Sequence, residues 1–166
     1  LFDLSRPRVS ITSAFAGTDI LVYGALDAPA DVIVTVSGAP SRQTVLRKER
    51  VLGLWVTGAR QTFDDVPVYY AVAATRPLAQ ILPAEGVPGV SLTLDERLAA
   101  IEARGAQRRS PDELKAFVQG LIEAKRRDGL YPEGVAPITV LAGRLFRAEL
   151  QFPSRLPVGD YEITAY

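Results

Sequence analysis

The chain has 166 residues and carries 19 Lys and Arg against 19 Asp and Glu, so its formal net charge is zero. A neutral chain lacks the basic excess of a general nucleic-acid binder, and we expect no nucleic-acid partner. It contains no His, Cys or Met. This composition excludes Ser-His-Asp and Cys-His catalysis, His- or thiolate-ligated metals and disulfides. We therefore predict no cofactor and no metal site.

Short apolar strands separated by Gly and Pro turns are predicted through the first half of the chain. The first of these shows the alternation of a strand with one buried face, with Val9, Ile11 and Phe15 on that face. The predicted strands are 9–15, 20–26, 31–37, 43–56 as either one bent strand or two strands, and 68–74. Such spacing, with turn signals between strands, is typical of an antiparallel sandwich.

A change to helical spacing predicts a helical hairpin near residues 92–128. Thr93 with Glu96, and Ser110 with Glu113, have the capping-box pattern of a hydroxyl residue followed three positions later by Glu. The second helix carries an apolar stripe with helical spacing, formed by Leu114, Phe117, Val118, Leu121 and Ile122. A two-helix hairpin cannot bury both of its faces alone, so this stripe is expected to pack against the sheet.

The end of the chain returns to strand patterns, at 145–152 and from residue 161 onward. The fold class predicted from all these elements is mainly β. We expect one domain over residues 1–166, an immunoglobulin-like antiparallel β-sandwich with an α-helical hairpin inserted at about 92–128.

The run Arg47-Lys48-Glu49-Arg50 interrupts an extended apolar stretch. Strand side chains alternate with a period of two, so four successive charges cannot share one solvent face. One interpretation is a contact with an anion or a headgroup, because Arg suits bidentate anions. The other is a solvated edge strand or a hairpin tip whose charges guard it against edge pairing.

Aromatic and basic residues elsewhere extend this run into a candidate partner or anion surface. Trp55 is the only tryptophan and is either a core anchor or a ligand-stacking ring. Tyr69 and Tyr70 lie on opposite faces of a predicted strand, so one ring can reach the surface, while core or rim packing is the other interpretation. The complete candidate surface is Arg47, Lys48, Arg50, Trp55, Tyr69 and Arg76.

Carboxylate chemistry of the glycosidase type is the enzymatic chemistry that this composition best allows. Catalytic acid–base pairs converge from separate elements, whereas neighbours such as Asp64 and Asp65 diverge. The pairs at 95–96 and 112–113 suit the starts of helices. We therefore predict no catalytic residues and no enzymatic activity.

Several segments together resemble a family of putative transmembrane proteins of alphaproteobacteria, and the resemblance covers nearly all of the chain. The segments are FAGTDILVYGA (15–25), DVIV (31–34), RKERVLGLWV (47–56), PVYYAVA (67–73), TRPL (75–78) and LPVGDY (156–161). The resemblance implies a cleaved signal peptide, one domain outside the cytoplasm and a C-terminal membrane helix. It implies no activity, and the family's frequent company with sulfite-exporter-type permeases implies a transport partner.

LPVGDY is also similar to the ending of small periplasmic copper carriers, but the chain has no His or Met to bind copper. The start at Leu1 and the predicted strand that reaches Tyr166 are expected of an excised domain, with membrane attachment through a segment not in this chain. We thus expect a non-enzymatic accessory domain at the periplasmic face of the inner membrane, binding a membrane protein such as a transporter. The alternative is a binding module for a small anionic solute that uses Arg47, Arg50 and Arg76.

Overall fold

Most of the described chain is β-structure. The computed structural model describes residues 1–12, 14–83 and 110–166, with the backbone alone at residues 49–51 and 55. Its elements in chain order are β1 (Phe2–Leu4), β2 (Thr18–Ala25), β3 (Ile33–Gly38), β4 (Pro40–Val51), β5 (Leu54–Pro67), β6 (Tyr70–Ala74), α1 (Leu78–Ile81), α2 (Pro111–Arg127), β7 (Ala136–Leu141), β8 (Leu145–Phe152) and β9 (Tyr161–Ala165).

Seven strands form one nearly closed sheet in the order β1-β2-β8-β7-β6-β3-β9. Neighbouring strands are antiparallel except β6 and β7, which pair in parallel at Ala73 with Ala136 and Ala74 with Pro137. Inward side chains from both halves of the sheet, such as Val22 and Val36, belong to a single apolar cluster. We call this cluster the sheet core.

The strands β4 and β5 form a separate two-stranded ribbon. Its two strands have 12 and 14 residues, so the ribbon is about 40 Å long at ~3.3 Å per residue. Leu52 and Gly53 connect the strands, both with positive φ, at 50° and 84°. The register shifts between Ser41 and Gln43 and again between Leu46 and Lys48, so β-bulges interrupt the ribbon twice.

The helix α2 packs against the ribbon and forms a second apolar cluster, which we call the ribbon core. Its first turn is capped by Ser110, whose hydroxyl oxygen accepts the amide hydrogen of Glu113 at 3.4 Å. Its stripe, Leu114, Phe117, Val118, Leu121 and Ile122, is buried with Phe63 and Val66 of β5. The helix ends at Arg127, and the φ of 72° at Gly129 just beyond it permits the Leu130 amide to donate to the Lys125 carbonyl.

Tyr131 connects the two cores. Its ring is buried in the sheet core, and its hydroxyl donates to the Pro67 carbonyl at the end of β5 at 2.7 Å. The ammonium of Lys125 lies 6.0 Å from the centre of the same ring. Lys125 is buried, although a basic residue near a helix end is usually solvated, and this burial lowers its pKa.

Most predicted elements are present in the structure. The predicted mainly β fold is confirmed, as are the strands at 20–26, 31–37, 68–74, 145–152 and 161–165, with small shifts at their ends. The stretch 43–56 had two interpretations, and the one with two strands is correct, because β4 and β5 are joined by a turn. The second helix is confirmed. Its stripe does not pack against the seven-stranded sheet as expected, because it is buried on the separate ribbon of β4 and β5. The first helix of the predicted hairpin lies outside the described residues.

Two predictions need correction. No strand forms in the described part of 9–15, although Val9 and Ile11 are half-buried against the sheet core and Ser10 and Thr12 are exposed. The alternation there reflects contact with the core, without a ladder partner. An antiparallel arrangement throughout is also wrong, because β6 and β7 pair in parallel. β7 itself was not among the predicted strands.

Candidate functional site

The free end of the ribbon carries apolar side chains in water. We define the ribbon tip as residues 46–57, which lie beyond the ribbon residues Val45 and Ala59 that pack on α2. Within it Leu52 is 99% exposed, Leu54 71%, Leu46 56% and Val56 41%. Large apolar side chains this exposed, and this close together, are a common mark of an interaction surface.

The turn at the apex of the ribbon tip is built from an unusual residue. Two positive φ angles in a two-residue connection are those of a type I′ turn, where Asn-Gly and Asp-Gly are preferred. Gly53 meets this requirement, but Leu52 has a Cβ and costs about 1 kcal/mol in the left-handed region. Leu52 is therefore unfavourable both in its backbone conformation and in its exposure, so the folded monomer gives no reason for a leucine there.

The ribbon tip is also basic. It contains three basic residues, Arg47, Lys48 and Arg50, and one acidic residue, Glu49, on a chain whose formal net charge is zero. The side chains of Arg47 and Lys48 are both exposed. The second β-bulge lies at this point, because the register shifts between Leu46 and Lys48. Exposed positive charge on β4 thus precedes the exposed apolar apex.

Contacts within the ribbon fix its stem, the part next to the sheet. The Arg42 guanidinium donates to the Asp64 carboxylate across the two strands at 2.6 Å, and this ion pair raises the pKa of Arg42. The hydroxyls of Thr44 and Thr62 lie 3.0 Å apart on the same ribbon. These pairs, with α2 on the stem, hold the ribbon in a defined shape.

Tyr69 lies in the interior, away from the ribbon tip. Its side chain is fully buried, and its hydroxyl donates to the Gln151 carbonyl at 2.9 Å. Its ring centre is 5.1 Å from that of Phe152 and 6.1 Å from that of Tyr161. Burial raises the pKa of Tyr69 far above its usual range. Of the two interpretations of Tyr69, the structure supports core packing.

Arg76 is occupied by an ion pair. Its guanidinium donates through Nε to Asp31 at 2.8 Å and through its terminal nitrogen to the second oxygen of the same carboxylate. Thr75 also donates to Asp31, at 2.9 Å. These hydrogen bonds lower the pKa of Asp31 to about 2. A guanidinium that already donates to both oxygens of one carboxylate is a poor candidate for binding a separate anion.

The ribbon tip therefore brings together four of the six candidate residues, Arg47, Lys48, Arg50 and Trp55, and pairs Arg50 with Trp55 across the ribbon. Tyr69 and Arg76 lie elsewhere. The apolar members of the surface, Leu46, Leu52, Leu54 and Val56, were not among the predicted site residues. A signal for them exists, because Gly53 lies between two leucines beside a charge run and marks the stretch as a turn.

Neither of two clefts in the described part of the chain includes the ribbon tip. One of about 940 Å³ is lined by residues of β6, β7 and β8, and its charged lining residues are Asp19, Glu133 and Glu149. The other, of about 390 Å³, has Arg6, Arg8 and Asp160 in its lining. Among residues 1–12, 14–83 and 110–166, no cluster of three or more carboxylates is placed to hold a metal ion.

Comparison with known proteins gives the family. The family model described as Putative transmembrane protein (Alph_Pro_TM) matches residues 1–166. The chain belongs to this family. The match confirms the resemblance that segments such as 15–25 and 47–56 carry. Searches of curated proteins and of solved structures found no match. No described helix of this member is both long enough and apolar enough to span a bilayer.

Proposed function

We propose that this chain is a non-enzymatic accessory domain of a membrane-anchored protein, and that it binds a membrane-protein partner through the ribbon tip. The observation that carries the proposal is the set of exposed apolar side chains at the tip, Leu46, Leu52, Leu54 and Val56, beside Arg47 and Lys48. Burial of an apolar side chain that a monomer leaves in water is the main favourable term in protein association.

The same proposal gives the domain a place in the cell. Membership in a family described as transmembrane supports a position beside a membrane, and we propose the periplasmic face of an inner membrane. A transporter, such as a sulfite-exporter-type permease, is the kind of partner that the family resemblance supports. A projecting ribbon suits this role because it reaches past the bulk of its own domain.

The alternative, a module for a small anionic solute, has less support. It requires a free guanidinium at Arg76, and that group is paired with Asp31. The larger cleft has only carboxylates as charged lining residues, which disfavours an anion there. We therefore retain the partner-binding function alone.

We also propose that the fold is a modified immunoglobulin-like sandwich with a helical hairpin inserted between β6 and β7. Two features support this. The β8 side chains alternate strictly between buried and exposed, as on the inner face of a sandwich. The ring of Phe152 on β8 lies 5.7 Å from that of Tyr161 on β9, so strands from opposite halves of the sheet face each other.

Affinity capture of the full-length protein from detergent-solubilised membranes tests the partner-binding function. We expect a membrane protein to be recovered in a fixed ratio, and we expect Leu46→Asp with Val56→Asp to reduce its recovery at least tenfold. The matched control is Leu141→Asp with Leu145→Asp, which alters a comparably exposed pair beside another tight turn, that of β7 and β8. Equal losses in both variants, or recovery of no membrane protein, would contradict the proposal.

A further inference from the structure

We propose that the apex of the ribbon tip, Leu52 and Leu54, inserts into the interfacial region of an anionic lipid bilayer. Arg47 and Lys48 then lie at the level of the phosphate groups. The inference rests on the proposed function to the extent that it places the domain at a membrane. It goes further in naming the lipid surface as what the apex contacts, and it leaves the flanks of the tip, Leu46 and Val56, to the protein partner.

The apex is the most exposed apolar part of the ribbon. Leu52 is 99% exposed and Leu54 is 71% exposed. Both flank Gly53 at the free end of the ribbon, which is about 40 Å long. A side chain at the end of such a ribbon cannot turn back to the sheet core. Leucine at a left-handed position is unfavourable in the free domain, and an apolar environment would compensate for both its exposure and part of this strain.

The position of the charges agrees with an anionic bilayer. Lys48 and Arg47 precede Leu52 by four and five residues, about 13–16 Å along an extended strand. Interfacial segments bury their apolar face by roughly 5–10 Å. The ammonium and guanidinium groups, at the ends of long side chains, would then lie close to the headgroup phosphates. Arginine and lysine near an anionic surface are attracted to it. The chain as a whole is neutral, so the negative charge that balances the basic ribbon tip lies outside the tip.

The shape of the apex favours lipid over protein as its occupant. A standard protein interface buries about 800 Å² on each partner. The leucines on either side of Gly53 offer far less area than this, because only two large side chains lie at the end of a narrow ribbon. A bilayer needs no shape complementarity, so a few apolar side chains on a narrow projection are sufficient when basic residues follow them.

The stem limits the entropy lost on insertion. Arg42 with Asp64, Thr44 with Thr62 and the packing of α2 already fix the ribbon in the free domain. Only a few side chains at the tip therefore lose freedom when it enters the headgroup region.

The single tryptophan makes this inference directly measurable. Trp55 is the only tryptophan of the chain and belongs to the ribbon tip, so its fluorescence reports on the tip alone. The purified domain is titrated with protein-free vesicles of phosphatidylcholine, with or without phosphatidylglycerol. We expect a blue shift and quenching by brominated acyl chains with the anionic vesicles only, and weaker binding as salt is raised.

Paired variants separate the apolar and the electrostatic contributions. Leu52→Asn with Leu54→Asn should weaken vesicle binding by roughly tenfold or more, and Asn at position 52 suits the turn, so the variant should fold. Arg47→Ala with Lys48→Ala should weaken it by about fivefold for each basic residue removed. The controls are Leu141→Asn with Leu145→Asn, and Arg126→Ala with Arg127→Ala on the exposed end of α2, which should bind like the unmodified domain.

The two proposals fail separately. Absence of binding to anionic vesicles, or full binding by the Leu52 and Leu54 variant, would overturn the lipid contact. If a membrane protein is still captured in detergent, the ribbon tip serves that protein alone and the proposed function stands. Vesicle binding with no captured protein would leave the lipid contact in place and remove the protein partner.

Discussion

Arg47 and Arg76 show how little the type of a residue says about its role. Both were candidates for the same surface, yet Arg76 is held by a carboxylate 45 positions away in the sequence and Arg47 is exposed on a ribbon. The pairing of Arg76 with Asp31 arises because β3 and β6 are neighbours and bring the two residues to one end of the sheet. A single sequence carries no signal for such a pair.

The ion pair makes a prediction about acid stability. The pKa of Asp31 is lowered to about 2, so the folded state holds its proton less tightly than the unfolded state, where the ordinary value is 3.8. This contribution to stability is fully present above pH 4 and is lost as the pH falls towards 2. Asp31→Asn should therefore flatten the decline of the melting temperature between pH 4 and 2.

The exposed carboxylate Asp64, paired with Arg42 on the ribbon, supplies the control for that experiment. The Asp64 carboxylate accepts from the exposed Arg42, whereas the Asp31 carboxylate accepts from both Arg76 and Thr75. If Asp64→Asn flattens the acid decline as much as Asp31→Asn, the contribution assigned to Asp31 is wrong.

At the scale of elements, local pattern predicted what local energetics decide. The strict alternation in β8 and the stripe of α2 were recognised because burial repeats every two or 3.6 residues. Residues 9–12 have the same alternation without a strand, since burial on one side requires contact with a core but no ladder partner. β7, which was not predicted, contains Pro137, a residue without an amide hydrogen whose presence argues against a strand.

The ribbon core predicts a large effect of one substitution in α2. Leu121 is buried against the ribbon, so Leu121→Ala should lower the free energy of unfolding by about 2–5 kcal/mol. Gln119→Ala on the exposed face of the same helix should change it by less than about 0.5 kcal/mol. Urea denaturation followed by circular dichroism measures both, and similar values for the two variants would refute the packing of α2 on the ribbon.

At the scale of the whole molecule, the division into a sheet core and a ribbon core could not be predicted. The division depends on which strands pair with each other. The sequence pattern instead favoured one antiparallel sandwich, with the long stretch 43–56 among its strands. The structure separates that stretch from the sheet and gives it its own helix. The surface at the ribbon tip exists only because of this separation, which is why its apolar members were missed.

The two cores predict a test of their coupling. Tyr131→Phe removes the hydrogen bond to the Pro67 carbonyl and leaves that acceptor buried, at a cost of about 1–3 kcal/mol. Hydrogen exchange should accelerate in α2 and the ribbon more than in β2 and β8, because the bond joins the ribbon to the sheet core. Tyr23→Phe, at an exposed ring, is the control. Uniform acceleration throughout would show that the two cores unfold as one unit.

The pairing of β2 with β8, and of β3 with β9, has a consequence for the order of folding. Thr18 pairs with Phe152 and Val34 with Ala165, residues more than a hundred positions apart, whereas β4 and β5 are joined by a two-residue turn. Hairpins form in about 1–10 μs, while closure of a sheet from distant strands is far slower. The ribbon can therefore form while the sheet is still open. A folding chain then exposes the apolar leucines of the ribbon tip before the sheet core has formed. Any binding partner, lipid or protein, is then available to act on a folding intermediate as well as on the finished domain.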